Sequence, residues 1–117
     1  MGKTVLVIED DGPIAEMLAL LLGGEGYAVE VARTGPEGVA QARTLAPDLI
    51  TLDLALPGAD GTSVLRELRT VAGESPVVVI SAHPNQLAAP DRALAADVIS
   101  KPFDIDDMLA SVARLLR

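Results

Sequence analysis

The sequence predicts an α/β fold: a doubly wound parallel sheet of five strands with five helices, in three layers. Two observations predict it. Short β-branched and apolar runs recur along the chain, the first of them with no polar alternation, as in a strand covered on both faces. After each run comes a stretch with helical signals, and strands alternating with helices imply right-handed crossovers that place helices on both sides of a parallel sheet. With 117 residues, half of them apolar, residues 1–117 are expected to form one domain that buries a core without disulfides or a structural metal.

The first run, Thr4-Val-Leu-Val-Ile8, ends in the acidic turn Glu9-Asp10-Asp11. Pro13 suits a first helical turn, and Ile14, Met17, Leu18 and Leu21 form an apolar stripe at helical spacing that stops at Gly23-Gly24. The unit repeats with a strand over 28–32 and a helix over 35–45, then a strand over 49–53 and a helix over 61–71. A fourth strand spans 77–81. The helix after it, somewhere within 87–96, is expected to be short or mobile, because Pro84 and Pro90 disfavour helical geometry in the residues before them. A fifth strand covers 98–100. The last helix, 104–116, is the best specified: Ile105, Met108, Leu109, Val112 and Leu116 share a face, acids crowd its start, and Arg114 and Arg117 close its end, matching the helix dipole.

Composition excludes several functions. There are no cysteines, which removes thiol catalysis and cysteine-ligated metals. No apolar run approaches the ~20 residues needed to cross a bilayer, and the N-terminus has no signal-peptide layout, so a cytoplasmic protein without membrane contact is expected. With 17 acidic against 9 basic residues and a net charge of −8, the chain repels phosphodiester backbones, and no direct nucleic-acid binding is expected.

In an open α/β sheet the ligand crevice lies beyond the carboxyl ends of the strands. The first strand delivers Glu9 and Asp10 there, the third Asp53, the fourth Ser81, and the fifth Lys101 followed by Pro102-Phe103. Three carboxylates against one ammonium call for a cation, and oxygen ligands suit magnesium, a common partner of phosphate. Each residue also has a plainer reading. Asp10 or Asp11 could cap the first helix, and Asp60 reads as a cap. His83 reads as a solvated loop residue. Gly23, Gly24 and Gly26 follow a helix, not the first strand, so they read as a helix end and a turn, not as a nucleotide loop. Asp53 is harder to dismiss, since a carboxylate ending an apolar strand is costly without a partner.

The motifs Val-Leu-Val-Ile-Glu9-Asp10-Asp11, Pro47-Asp48-Leu-Ile-Thr-Leu-Asp53-Leu-Ala-Leu-Pro57-Gly58, Val-Val-Val-Ile-Ser81-Ala82 and Ser100-Lys101-Pro102-Phe103 resemble, in order and over nearly the whole chain, a response-regulator receiver domain of two-component signalling. The resemblance implies strand order 2-1-3-4-5, an order the flavodoxin-like folds share. It implies Asp53 as phosphoacceptor, and a carboxylate is an established covalent acceptor of phosphoryl groups. It further implies that Asp10, Asp53 and the backbone carbonyl of Ala55 hold Mg2+ (or Mn2+), with Glu9 acting through water. Ser81 and Lys101 would meet the phosphoryl oxygens, and the small Ala82 would leave the entry path open. Such a protein is no turnover enzyme; it catalyses only its own phosphotransfer and dephosphorylation.

The implied partners are a histidine kinase or histidine phosphotransfer protein, a downstream target or output domain, and in some cases a second copy in a homodimer. With no effector segment after Arg117, the sequence fits a single-domain regulator or an excised receiver. The alternative within the family is a phosphorylation-independent interaction module. A haloacid dehalogenase-type phosphohydrolase would need an aspartate where Ala55 stands. A flavin-phosphate carrier would need a first loop without the acids Glu9, Asp10 and Asp11.

Some positions depart from the family pattern. Val98 stands where an aromatic usually relays phosphorylation to the output face, and the stretch from Ser81 to Lys101 is slightly short. Signalling is therefore expected to work by ordering that stretch. The positions that influence phosphoryl lifetime are Ala55 and His83, of which Ala55 has no side-chain group to orient a hydrolytic water.

Overall fold

The computed structural model describes residues 2–117. Strand β1 (Thr4–Ile8) leads into helix α1 (Gly12–Gly24), β2 (Ala28–Ala32) into α2 (Gly35–Leu45), and β3 (Leu49–Leu52) into a two-residue ribbon, β4 (Ala55–Leu56) with β5 (Ala59–Asp60), and then α3 (Gly61–Val71). β6 (Val77–Ser81) is followed by a single 3-10 turn (Pro84–Gln86) and the one-turn α4 (Ala89–Arg92); β7 (Asp97–Ser100) and α5 (Ile105–Leu115) complete the chain. The main sheet is parallel in the order β2-β1-β3-β6-β7. Leaving out the antiparallel β4–β5 ribbon, this is the expected order 2-1-3-4-5 with helices on both faces.

Alternate residues of the central strands feed two cores. Val5, Val7, Val78 and Ile80 pack with Leu18 and Leu22 of α1 and with Met108 and Val112 of α5. Leu6, Ile8, Ile50, Leu52 and Val79 pack on the other face with Val39 and Ala42 of α2 and with Val64, Leu65 and Leu68 of α3. Gly38 permits this closeness, since a Cβ there would sit 2.5 Å from Cδ1 of Ile8.

Four details correct the sequence reading. β3 ends at Leu52, so Asp53 lies just beyond the ladder. The buried face of α1 is Ala15, Leu18 and Leu22, while Met17 is exposed and Leu20 is 77% exposed. Nearly every side of that helix is apolar, so spacing alone could not fix which face turns inward. In α5 Ile105 is exposed, whereas Ser111 joins Met108 and Val112 in the buried set. Finally, β7 begins one residue early: the Asp97 carboxylate bonds the Ser111 hydroxyl (2.6 Å) and Arg114 (3.3 Å), tying the start of the strand to α5.

Candidate functional site

The acidic turn after β1 sorts its carboxylates by position. Asp11 is the cap of α1, its Oδ1 accepting from the N–H of Ile14 at 3.0 Å. That leaves Glu9 and Asp10 free of capping. Asp60 caps α3 in the same way, accepting from the N–H of Thr62 at 3.2 Å, and the glycine stretch does end α1, with Gly26 at φ +94° in the turn.

Among the described residues, Glu9, Asp10 and Asp53 each bring a carboxylate oxygen to within 4.8 Å of the others. Glu9 is 2% exposed and Asp53 6%, while Asp10 is the most solvent-accessible of the three. Lys101, across a sequence separation of 92 and 48 residues, places Nζ 2.7 Å from Oε1 of Glu9 and 3.2 Å from Oδ2 of Asp53. The other Asp53 oxygen, Oδ1, accepts from the backbone N–H of Ala55 at 3.1 Å. Lys101 reaches this position because its N–H continues the β6–β7 pairing to the carbonyl of Ser81 at 2.9 Å, and Pro102 follows across a cis peptide bond.

The charges constrain one another. Burial is the largest influence on Glu9 and pushes its carboxyl up; the hydrogen bond from Lys101 opposes this, the neighbouring Asp53 adds to it, and the result is a pKa of about 7. For Lys101 burial favours losing the proton, but the carboxylates of Glu9 and Asp53 outweigh it and hold the ammonium above the ordinary lysine range. Lys101 therefore stays charged and still leaves the three acids under-neutralised. A donor set made only of carboxylate oxygens, one of them open to solvent, fits a hard divalent cation.

Ser81 is fully buried at the end of β6, and its Oγ accepts from the N–H of His83 at 3.1 Å. The His83 side chain is exposed. Ala82, with Lys101, lines a groove of about 480 Å³ shared with Ile14, Met17, Pro102, Phe103 and Ile105. Val98 is half-buried against the core that also holds Leu87 and Ala95. The geometry thus joins Glu9, Asp10, Asp53 and Lys101 directly and sets Ser81 beside them through the backbone of Lys101.

Two features were missed in the sequence. The sequence gives Glu9 only a water-mediated part, whereas it is the nearer partner of Lys101. Arg33, just past β2, donates to the carbonyl of Asp10 at 2.6 Å. No short-range pattern announces either contact, because each joins residues from different strands.

The sequence model of the response regulator receiver domain matches residues 5–113. The chain belongs to this family. The receiver is 38% identical to the DNA-binding response regulator MtrA of Mycolicibacterium paratuberculosis, over 100% of this chain and 52% of that protein. It superposes on a CheY-like receiver domain protein from Methanospirillum hungatei with a TM-score of 0.90 at 25% identity, covering 99% of this chain and 94% of that one. The response regulator TrrA of Thermotoga maritima, in complex with Mg(2+)-BeF, gives a TM-score of 0.90 at 28% identity, covering 97% of this chain and 99% of that one. The chain spans about half the length of the curated relatives it matches. Receiver domains of this family act in two-component signalling and are generally not classical enzymes; no helix among the described residues is long and apolar enough to cross a membrane.

Proposed function

We propose that Asp53 accepts a phosphoryl group from a phosphohistidine of a histidine kinase or phosphotransfer protein, and that the added charge switches this receiver between two states. The observation that carries the reading is Lys101 bonded to both Glu9 and Asp53 beside the exposed Asp10. In the transfer an Asp53 oxygen forms the new O–P bond as the P–N bond to the donor imidazole breaks, and that imidazole takes up a proton. Lys101 is held charged and within reach of the oxygens that gain negative charge, which is the positioning that phosphoryl transfer requires.

Asp10 and Asp53, with the main-chain carbonyl of Ala55 and with Glu9 through water, would hold Mg2+ or Mn2+. When bound, the ion neutralises repulsion between the attacking carboxylate and the phosphoryl oxygens. Presence of every acidic and basic member of the cluster favours this reading over a phosphorylation-independent interaction module.

Ser81 turns its hydroxyl from the N–H of His83 toward the phosphoryl group, which disturbs the start of the 83–96 connection. Val98 has no ring to rotate, so the signal passes as order in that connection. Since Ala55 brings no polar side chain, any orientation of hydrolytic water falls to His83, and His83→Ala lengthens the phosphoryl lifetime measured by decay of the labelled protein. The apolar groove beside Lys101 lies along the path by which a donor protein brings its phosphohistidine to Asp53. Longer relatives are named DNA-binding, and an output domain of that kind, in the cytoplasm, is the target we assign; the acidic receiver itself makes no nucleic-acid contact.

The test is incubation with magnesium and phosphoramidate followed by intact mass. The parent gains one phosphoryl group, whereas Asp53→Ala and the parent with a chelator gain none. Equal labelling of parent and Asp53→Ala would overturn the assignment.

A further inference from the structure

Strand β2 contributes nothing to the acceptor cluster, yet its continuation reaches the acidic turn. Pairing between β1 and β2 extends one step past β1, through the bond from the N–H of Glu9 to the carbonyl of Ala32, the last residue of β2, at 3.0 Å. Arg33 therefore emerges beside Asp10. Its guanidinium donates to the Asp10 carbonyl at 2.6 Å and lies over Gly12, where a Cβ would stand 3.3 Å from the same nitrogen. Glu37 accepts from the backbone N–H of Arg33 at 3.4 Å, which ties the main chain of Arg33 to the start of α2.

We propose that Arg33 is a positioning residue for the acceptor site: it fixes the main chain of Asp10, and through it the solvent-facing carboxylate, which among the described residues makes no side-chain hydrogen bond. This rests on the reading of Glu9, Asp10 and Asp53 as a cation site. Glu9 is held by Lys101 and Asp53 by Lys101 and the N–H of Ala55, so Asp10 is the member of the cluster whose orientation is set by its backbone. Asp11 contributes by capping α1, and Arg33 secures the peptide that joins Asp10 to it. A nearby guanidinium also repels a divalent cation. Arg33 is exposed to solvent, so that repulsion is screened by water and salt and the ordering of Asp10 outweighs it.

The experiment is calorimetric titration of Mg2+ into the parent, Arg33→Met, Arg33→Lys and Asp10→Asn, with thermal melts of each without metal. Arg33→Met should bind Mg2+ about fivefold more weakly, the size of one exposed charge-assisted hydrogen bond, with its melting temperature unchanged. Arg33→Lys, which keeps a donor and the charge, should stay within about twofold of the parent by the same reasoning. At saturating Mg2+ the phosphorylation rate of Arg33→Met should return to that of the parent. Binding by Arg33→Met that equals or exceeds the parent would overturn the inference, as would Arg33→Lys as weak as Arg33→Met. A parent and Asp10→Asn that both fail to bind Mg2+ would overturn the cation site itself, and with it this inference.

Discussion

Glu9 and Asp53 lie at the ends of strands β1 and β3, whose residues are almost sealed from solvent, and each makes at least one bond to Lys101. The connection from His83 to Ala96 begins at the neighbouring Ser81 and is built differently. Among the described residues it buries only Leu87 and Ala95, its helix has a single turn, and its one side-chain ion pair to the rest of the chain joins Asp91 to Arg66 of α3 through two bonds of 2.9 Å. Opening free energy follows buried apolar contact and hydrogen bonding. The chemistry therefore sits on the stiff end of this molecule, and the part free to respond is the adjacent loose one. On the proposed reading, a phosphoryl group at Asp53 would add charge at the stiff end, and the strain would pass through Ser81 and Lys101 into the stretch that can relax.

The largest break in this contrast is Leu52→Ala. Removing a fully buried side chain one residue before Asp53 should lower unfolding free energy in urea by about 3 kcal/mol, and the same truncation at Leu87 should cost about half that, because its segment can collapse around the gap. Equal losses would erase the distinction. Next is Lys101→Met, which leaves two buried acids facing each other. Without metal it should cost about 2 kcal/mol, less than a typical broken buried pair because Glu9 takes up a proton, and Mg2+ should restore more of the urea midpoint than it adds to the parent.

A smaller change sharpens the contrast from the loose side. Arg66→Ala should leave the urea midpoint unmoved while amide exchange across 84–96 accelerates several-fold, since an exposed ion pair holds a local segment and adds little to global stability. The smallest effect concerns Asp97. Burial works against its charge, but bonds from Ser111, the Val98 N–H and Arg114 outweigh it, so its carboxyl lies below the usual carboxylate range. Its stabilising contribution is present above pH 4 and is lost as pH falls through the lowered value. The difference in urea midpoint between parent and Asp97→Asn should therefore be present at pH 7 and shrink as the pH drops below about 4.

These contrasts also explain what the sequence could convey. The strands and the positions of Asp10, Asp53, Ser81 and Lys101 were legible because strand ends and βα alternation are local patterns; the strand order came only with the receiver resemblance, and the prolines at 84 and 90 announced the reduced α4. The inward face of α1 was not, because Leu20 and Leu22 are equally apolar and only the partner strands decide between them. Nor was the pairing of Lys101 with Glu9, or the grip of Arg33 on Asp10, since both depend on the register between strands far apart in the chain.

The central claim is that phosphoryl uptake at the buried cluster appears as order in the loose connection. Hydrogen exchange on the parent with and without the phosphoryl group, in Mg2+, measures it directly. Exchange should slow across residues 84–96, with β1, β3 and α5 unchanged. Exchange that is unaltered across 84–96 while Asp53 carries the phosphoryl group would contradict it.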